Sequence, residues 1–341
     1  MIRWYNEKNK LDDRYIFLLT DDTGILQHSK YGVPDPRHGY TTDDNARALI
    51  MAIVLYEKYR KKKYLDLVYR YSSFVLNALN DRGRFKNFMS YDRKWLEEEG
   101  SEDCFGRCLW ALGYAFSNKY TPVGVKSTLA YIFKKALPNV NSLTYLRAKA
   151  YSIIGIDYMG DEEGKKYIVD IADSLCNEYY KSKSDRWSWF ENTITYSNSV
   201  LPWSLFKAYR STGNEKYLDI AKESLDFLES VTFENGVFKP VGCNGWLIKG
   251  ERCAEFDQQP VEACETVLTY MEAYLITGNS KYKKMAKRCH EWYEGVNFNR
   301  VSLVDRENGG CFDGLTDKGY NWNKGSESLI SYVISFINSK E

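Results

Sequence analysis

The residues best suited to chemistry in this 341-residue chain are acids set beside aromatic residues, glycine and arginine. One group reads His38-Gly39-Tyr40-Thr41-Thr42-Asp43-Asp44-Asn45-Ala46-Arg47. A second runs Ser101-Glu102-Asp103-Cys104-Phe105-Gly106-Arg107. Others are Trp187-Ser188-Trp189-Phe190-Glu191 with Tyr196, the stretch from Trp246 to Phe256-Asp257-Gln258-Gln259-Pro260, and Gly310 through Tyr320-Asn321-Trp322. Aromatic faces stack on the apolar side of a pyranose, while Asp, Glu, Asn, Gln and Arg satisfy its hydroxyls. Two carboxyl groups then suffice to hydrolyse a glycosidic bond, one delivering a proton and the other activating water. Asp43, Asp44, Glu102, Asp103 and Asp257 are the catalytic candidates. His38, Arg47, Arg107, Trp189, Glu191, Tyr196, Trp246, Gln258, Gln259 and Trp322 are the candidates for holding the sugar.

Each has a plainer reading. Asp43 and Asp44 stand where a helix starts, and an acid there bonds free N–H groups and suits the helix dipole. Ser101 is as good a cap as Glu102 or Asp103. Glu191 has Arg186 nearby as an ion-pair partner, and Trp189, Trp246 and Trp322 could pin loops to the body. Arg47 and Arg107 could hold acids ionised. Adjacent acids on one helical turn are poorly placed to flank a sugar, so the expected pair is one of Asp43, Asp44, Glu102 and Asp103 acting against Asp257. An inverting reaction needs such carboxyls roughly 6.5 to 9.5 Å apart.

The elements that must position these residues follow from helical periodicity, which gives twelve segments: 11–20, 44–59, 64–79, 102–118, 122–136, 141–158, 162–180, 199–212, 215–230, 260–277, 280–296 and 325–338. Thr121-Pro122, Pro202 and Pro260 supply helix-start signals, Thr121 as a capping hydroxyl. Even-numbered segments are the more apolar and read as enclosed; odd-numbered ones alternate charge with an apolar stripe and read as an outer layer. Thr-Gly-Asn-x-Lys-Tyr recurs at 212–217 and 277–282, each time followed by Ala-Lys, which suggests stacked helix pairs. Connections from apolar to charged helix are short. The returns, 20–43, 80–101, 181–198, 231–259 and 297–324, are long, and only the one near Pro138 is short. A ring of six antiparallel hairpins, an all-α (α/α)6 barrel, produces this alternation, with the whole chain 1–341 as one domain and every long loop at one mouth.

On these motifs the chain resembles the six-hairpin glycosidase superfamily. Thr42 to Arg47, Ser101 to Asp103 with Gly106-Arg107, and Phe256 to Pro260 are similar to the helical domain that accompanies some prokaryotic glycosyltransferases. The resemblance implies the toroid, a carbohydrate ligand and a functional link to a glycosyltransferase. The expected activity is an inverting glycoside hydrolase acting on a short oligosaccharide. The alternatives are a silent glycan-binding domain and a lyase or phosphorylase using the same cleft.

Composition narrows the rest. Basic and acidic residues, 47 and 46, nearly cancel, which gives no electrostatic reason to expect nucleic acid or a membrane surface as partner. The first eight residues lack the apolar run of a signal peptide, so a cytoplasmic protein is expected. The eight cysteines fall mostly in helical patterns and read as buried thiols. Three histidines, His28, His38 and His290, offer no metal spacing and count against sugar epimerases built on histidine pairs. No cofactor is expected.

Overall fold

The repeated Thr-Gly-Asn segments are hairpin turns. Gly213 and Gly278, at φ 70° and 68°, close two helices in the left-handed conformation that a side chain would strain. Asn214 and Asn279 then accept hydrogen bonds from the N–H groups of Lys216 and Lys281 and start the next helices. In the computed structural model, which describes residues 10–339, this device and its variants join twelve helices. The first eight residues, on which the cytoplasmic expectation rests, lie outside that range.

The outer helices are α1 (Arg14–Leu19), α3 (Lys62–Ala78), α5 (Val123–Ala136), α7 (Glu162–Ser182), α9 (Glu215–Thr232) and α11 (Ser280–Glu291). The inner ones are α2 (Thr42–Tyr59), α4 (Glu102–Ser117), α6 (Leu146–Met159), α8 (Val200–Thr212), α10 (Pro260–Thr277) and α12 (Ser326–Asn338). Each inner helix packs on the next, and α12 packs back on α2, which closes the ring. α1 lies against α12 and completes the sixth hairpin across the two ends of the chain. The architecture is the (α/α)6 toroid, with inner helices at the even-numbered positions as expected.

Three expectations need correction. Thr121 does not cap α5: Pro122 itself takes extended backbone at ψ 144° and becomes the boundary residue, leaving the Thr121 hydroxyl buried and unbonded. The helix expected over 141–158 starts only at Leu146, because residues 137–142 form a 3-10 turn and the Glu102 carboxylate collects the N–H groups of Thr144 and Tyr145 at 2.7 and 2.9 Å. The helix expected to reach 296 stops at Glu291, where the chain turns through Gly295 at φ 101°. All eight cysteines are free thiols; six are buried, and Cys243 and Cys253 are half-buried.

The long loops are stitched to one another around the mouth. Tyr40–Thr41 pairs with Phe88–Met89, Thr193–Ile194 with Leu247–Ile248, and Gln258 with Leu315 through both backbone bonds at 2.9 Å. Lys324 and Ser326 donate their N–H groups to the Ser29 hydroxyl and the Gln27 carbonyl, tying the last long loop to the first. Backbone polar groups that a loop would leave unpaired are thus satisfied by its neighbour.

Helices α4 and α6 approach most closely, through Gly106, Gly113 and Gly155. A Cβ on Gly155 would stand 2.3 Å from the Leu109 carbonyl oxygen, an atom of helix backbone that cannot move aside, whereas a Cβ on Gly124 in α5 would meet nothing within 4 Å. Gly155→Ala should therefore destabilise the protein by about 1–3 kcal/mol or more. Gly124→Ala should be neutral or stabilise by up to about 1 kcal/mol. Urea unfolding of the two variants checks the contrast; equal stabilities would show that the α4–α6 seam is looser than described.

Candidate active site

Because each inner helix runs antiparallel to the outer helix before it, all six inner N-termini arrive at the mouth. Free N–H groups and the positive end of each helix dipole favour acids there. Asp43 and Asp44 lie in the first turn of α2, Glu102 and Asp103 in that of α4, Glu262 in that of α10 and Glu327 in that of α12.

Their environments separate them. Asp44 is buried, with one oxygen bonded to the Thr41 hydroxyl at 2.7 Å and the other to Arg47 at 2.6 Å; Arg47 bridges on to Glu327 at 2.8 Å. Burial pushes the Asp44 carboxyl above the usual carboxylate range, against the pull of Arg47. Burial also acts to raise Asp43, but the charges of Arg107 and Arg47 outweigh it and hold that carboxyl below the ordinary range. Arg107 bonds Asp43 at 2.9 Å, and the Asp43 side chain keeps 16% of its surface exposed. Asp103 accepts a 2.6 Å bond from the Tyr196 hydroxyl. Glu102 spends both oxygens on the start of α6 and clamps that helix to α4.

Asp257 sits exposed on the loop before α10, its side chain free of ion pairs and hydrogen bonds among the described residues. Its neighbour Gln258 is fully buried and structural, donating to the Glu255 carbonyl and accepting from the Trp292 indole N–H at 2.9 Å. Gln259 precedes α10 without a side-chain cap bond.

Other expected contacts resolve differently. Glu191 pairs with Arg147 of α6 and not with Arg186. Arg147 also donates to the Tyr196 carbonyl and the Thr195 hydroxyl, so one buried guanidinium pins the loop before α8 over the mouth. Trp189 is wholly buried against Phe190 and Phe227 and offers no sugar a face. Trp246 is half-buried. Trp322 is 60% exposed and braced edge-on by Tyr320 and Phe312, so it remains available for stacking. His38 is exposed and meets His28 edge-on at 4.9 Å on the rim. His290 lies on α11, buried and bonded to the Ser335 hydroxyl of α12.

Sequence reasoning missed Arg147, Tyr151, Glu262, Glu265 and Glu327, all on inner helices. Glu262 accepts from the N–H groups of Ser197 and Asn198 just ahead of α8 and from the Asn198 amide at 2.9 Å. Glu265 lies one turn further along α10, bonded to the Tyr151 hydroxyl. Burial and the neighbouring Glu262 push its carboxyl up to about 8. The signal in the sequence was the inner-helix stripe itself: a glutamate at 262 and another at 265 early in a mostly apolar segment.

No family model matches the chain, and no curated protein does. Solved structures match along nearly its whole length. A sugar epimerase from a ruminal bacterium superposes with a TM-score of 0.75 at 14% identity, covering 98% of each chain. Cellobiose 2-epimerase from Bacillus thermoamylovorans gives 0.71 at 13%, covering 98% of this chain and 97% of that one. An inactive variant of an α-1,6-mannanase of Salegentibacter, with two consecutive aspartates replaced by alanine and α-1,6-mannotetrose bound, gives 0.65 at 13%, covering 96% and 95%. At these identities the likeness establishes the toroid shared with these carbohydrate-active proteins.

The Asp43–Arg107 pair gives a direct test. Arg107→Met strands a largely buried carboxylate and should cost about 3–5 kcal/mol, whereas the double change with Asp43→Asn should recover part of the loss. Since Asp43 is held below its unfolded value, the stability it contributes is present at neutral pH and disappears as pH falls through the folded value. The gap between parent and Arg107→Met should therefore narrow in acid. Denaturation across pH 3 to 7 measures it, and a gap independent of pH would contradict the pairing.

Proposed function

We propose that the chain is a glycoside hydrolase of inverting type that takes a short oligosaccharide into the mouth of the toroid, with the chain as one domain. The observation that carries this reading is Asp43, a carboxylate bonded by Arg107, held below the ordinary carboxylate range by the arginine charges and still partly exposed at the start of α2. Asp44 is buried between Thr41 and Arg47, and Glu102 is spent on the start of α6; this leaves Asp43, whose oxygens take the Asp44 N–H and Arg107 but stay partly exposed, with Asp103 on one side of the mouth and Asp257 on the loop before α10. Asp43 acts as the base that takes a proton from the attacking water. Asp257 is the carboxyl set against it from the loop before α10, and Tyr196 orients Asp103 toward the sugar hydroxyls. Trp322 supplies a stacking face.

A panel of manno- and gluco-oligosaccharides followed by mass detection, with and without phosphate and in labelled water, tests the reaction class. Label entering one new reducing end supports hydrolysis, and proton NMR of the first anomer formed decides inversion. Phosphorylated product, an unsaturated product, solvent deuterium at carbon 2, or binding without turnover would instead mark a phosphorylase, a lyase, an epimerase or a silent binding domain. Asp43→Asn and Asp257→Asn should fold normally and lose about 10²–10⁴-fold in turnover while still binding sugar. Near-normal turnover in both would remove the carboxylate assignment.

A further inference from the structure

Glu265 has no role in the scheme above, yet it is among the most enclosed acids of the ring. It projects from α10 to bond Tyr151 of α6, two inner helices away around the ring, so the contact crosses the interior past α8. Its second oxygen is buried without a hydrogen bond, and it takes no ion pair among the described residues. Tyr151 also donates to the Ser197 hydroxyl at 3.0 Å. A phenol has one hydrogen, so with that hydrogen on Ser197 a proton on Glu265 completes the contact between the two. Arg107 rests over the Tyr151 ring, 5.5 Å from its centre, and bonds Asp43 from the same guanidinium.

We infer that Glu265 is a positioning residue: as a neutral carboxylic acid it fixes Tyr151, on whose ring Arg107 lies, and so sets the guanidinium that holds Asp43. This rests on the reading of Asp43 as part of the active site. The charged and titratable groups facing Glu265 are Glu262 and Cys264 on its own helix, Tyr151 on α6, Arg107 on α4, Arg47 on α2 and Tyr293 beyond α11. A charge on Glu265 competes with Asp43 for Arg107. Ionisation near pH 8 therefore loosens the hold on Asp43, whereas glutamine, neutral at every pH, preserves it.

The test uses the full chain with carbon-13 at its carboxyl groups. Infrared difference spectra between parent and Glu265→Gln should show one protonated carboxyl at neutral pH that disappears as pH rises past 8; its absence overturns the inference. The Asp43 carboxyl, identified by its loss in Asp43→Asn, should titrate higher in Glu265→Ala and in Tyr151→Phe than in the parent, and unchanged in Glu265→Gln. Tyr151→Phe serves where Glu265→Ala does not fold. Equal Asp43 titration in all variants overturns the inference even with the infrared band present. With an active substrate, Glu265→Gln should match the parent at pH 7 and lack its alkaline decline. If no oligosaccharide is turned over, the hydrolase reading fails, while the two spectroscopic measurements still decide the role of Glu265.

Discussion

Six helix N-termini meeting at one mouth set the terms for everything built there. Each brings N–H groups without intrahelical partners and a partial positive charge, and the loops above must supply acceptors. The chain answers with acids, often lent from one helix to another. Ser101 caps α4 and frees Glu102 to serve α6; Glu262 of α10 serves the approach to α8; Asp313 accepts the Gly325 N–H and the Ser328 hydroxyl at the start of α12. Acids at this mouth are therefore structural first. An acid that still has an open oxygen after those bonds are made is the one with chemistry to spare.

Concentrating acids in a desolvated ring is costly unless cations sit among them. Arg47, Arg107 and Arg147 fill that place from three consecutive inner helices, each linking to a carboxylate on another element. The planar guanidinium suits this work because it bonds two partners in fixed directions and does not lose its charge. Its side effect is to drive neighbouring carboxyls apart in acidity: Asp43 downward beside Arg107, Glu265 upward where no guanidinium makes contact. Carboxyls separated in this way are what acid–base chemistry requires.

Helix character was legible because burial is repetitive. The apolar run from Ala46 to Leu55 and the run from Leu109 to Phe116 read as enclosed, and the Thr-Gly-Asn turns marked hairpins through a cap and a left-handed glycine. The mouth was legible only in part. Loop aromatics advertised sugar stacking, but Trp189 belongs to the core and Gln258 to the join between two loops, distinctions that depend on which side of a loop faces inward. Arg147 and Glu265 were invisible for the opposite reason. A lone charge in an apolar helix reads as a solvated face until the ring shows that the face points at five other helices. The glycines of α4 and α6 were equally silent, since close approach needs a partner that spacing alone does not name.

The same dipole logic explains why the ring opens at one end. At the C-terminal ends of the inner helices the field is reversed, so acids there need cations to offset it. Asp157, two residues before the end of α6, and Glu272 of α10 both contact Lys207 of α8, at 3.4 and 2.8 Å, with Arg210 alongside and the Tyr158 ring 3.8 Å from the Lys207 ammonium. Lys207 and both acids are buried, and short turns leave no loops to line an opening. Two acids and two cations thus balance within this cluster. At the mouth the long loops hold acids such as Asp257 that find no partner among the described residues, and polarity left over from folding is what a polar ligand can use.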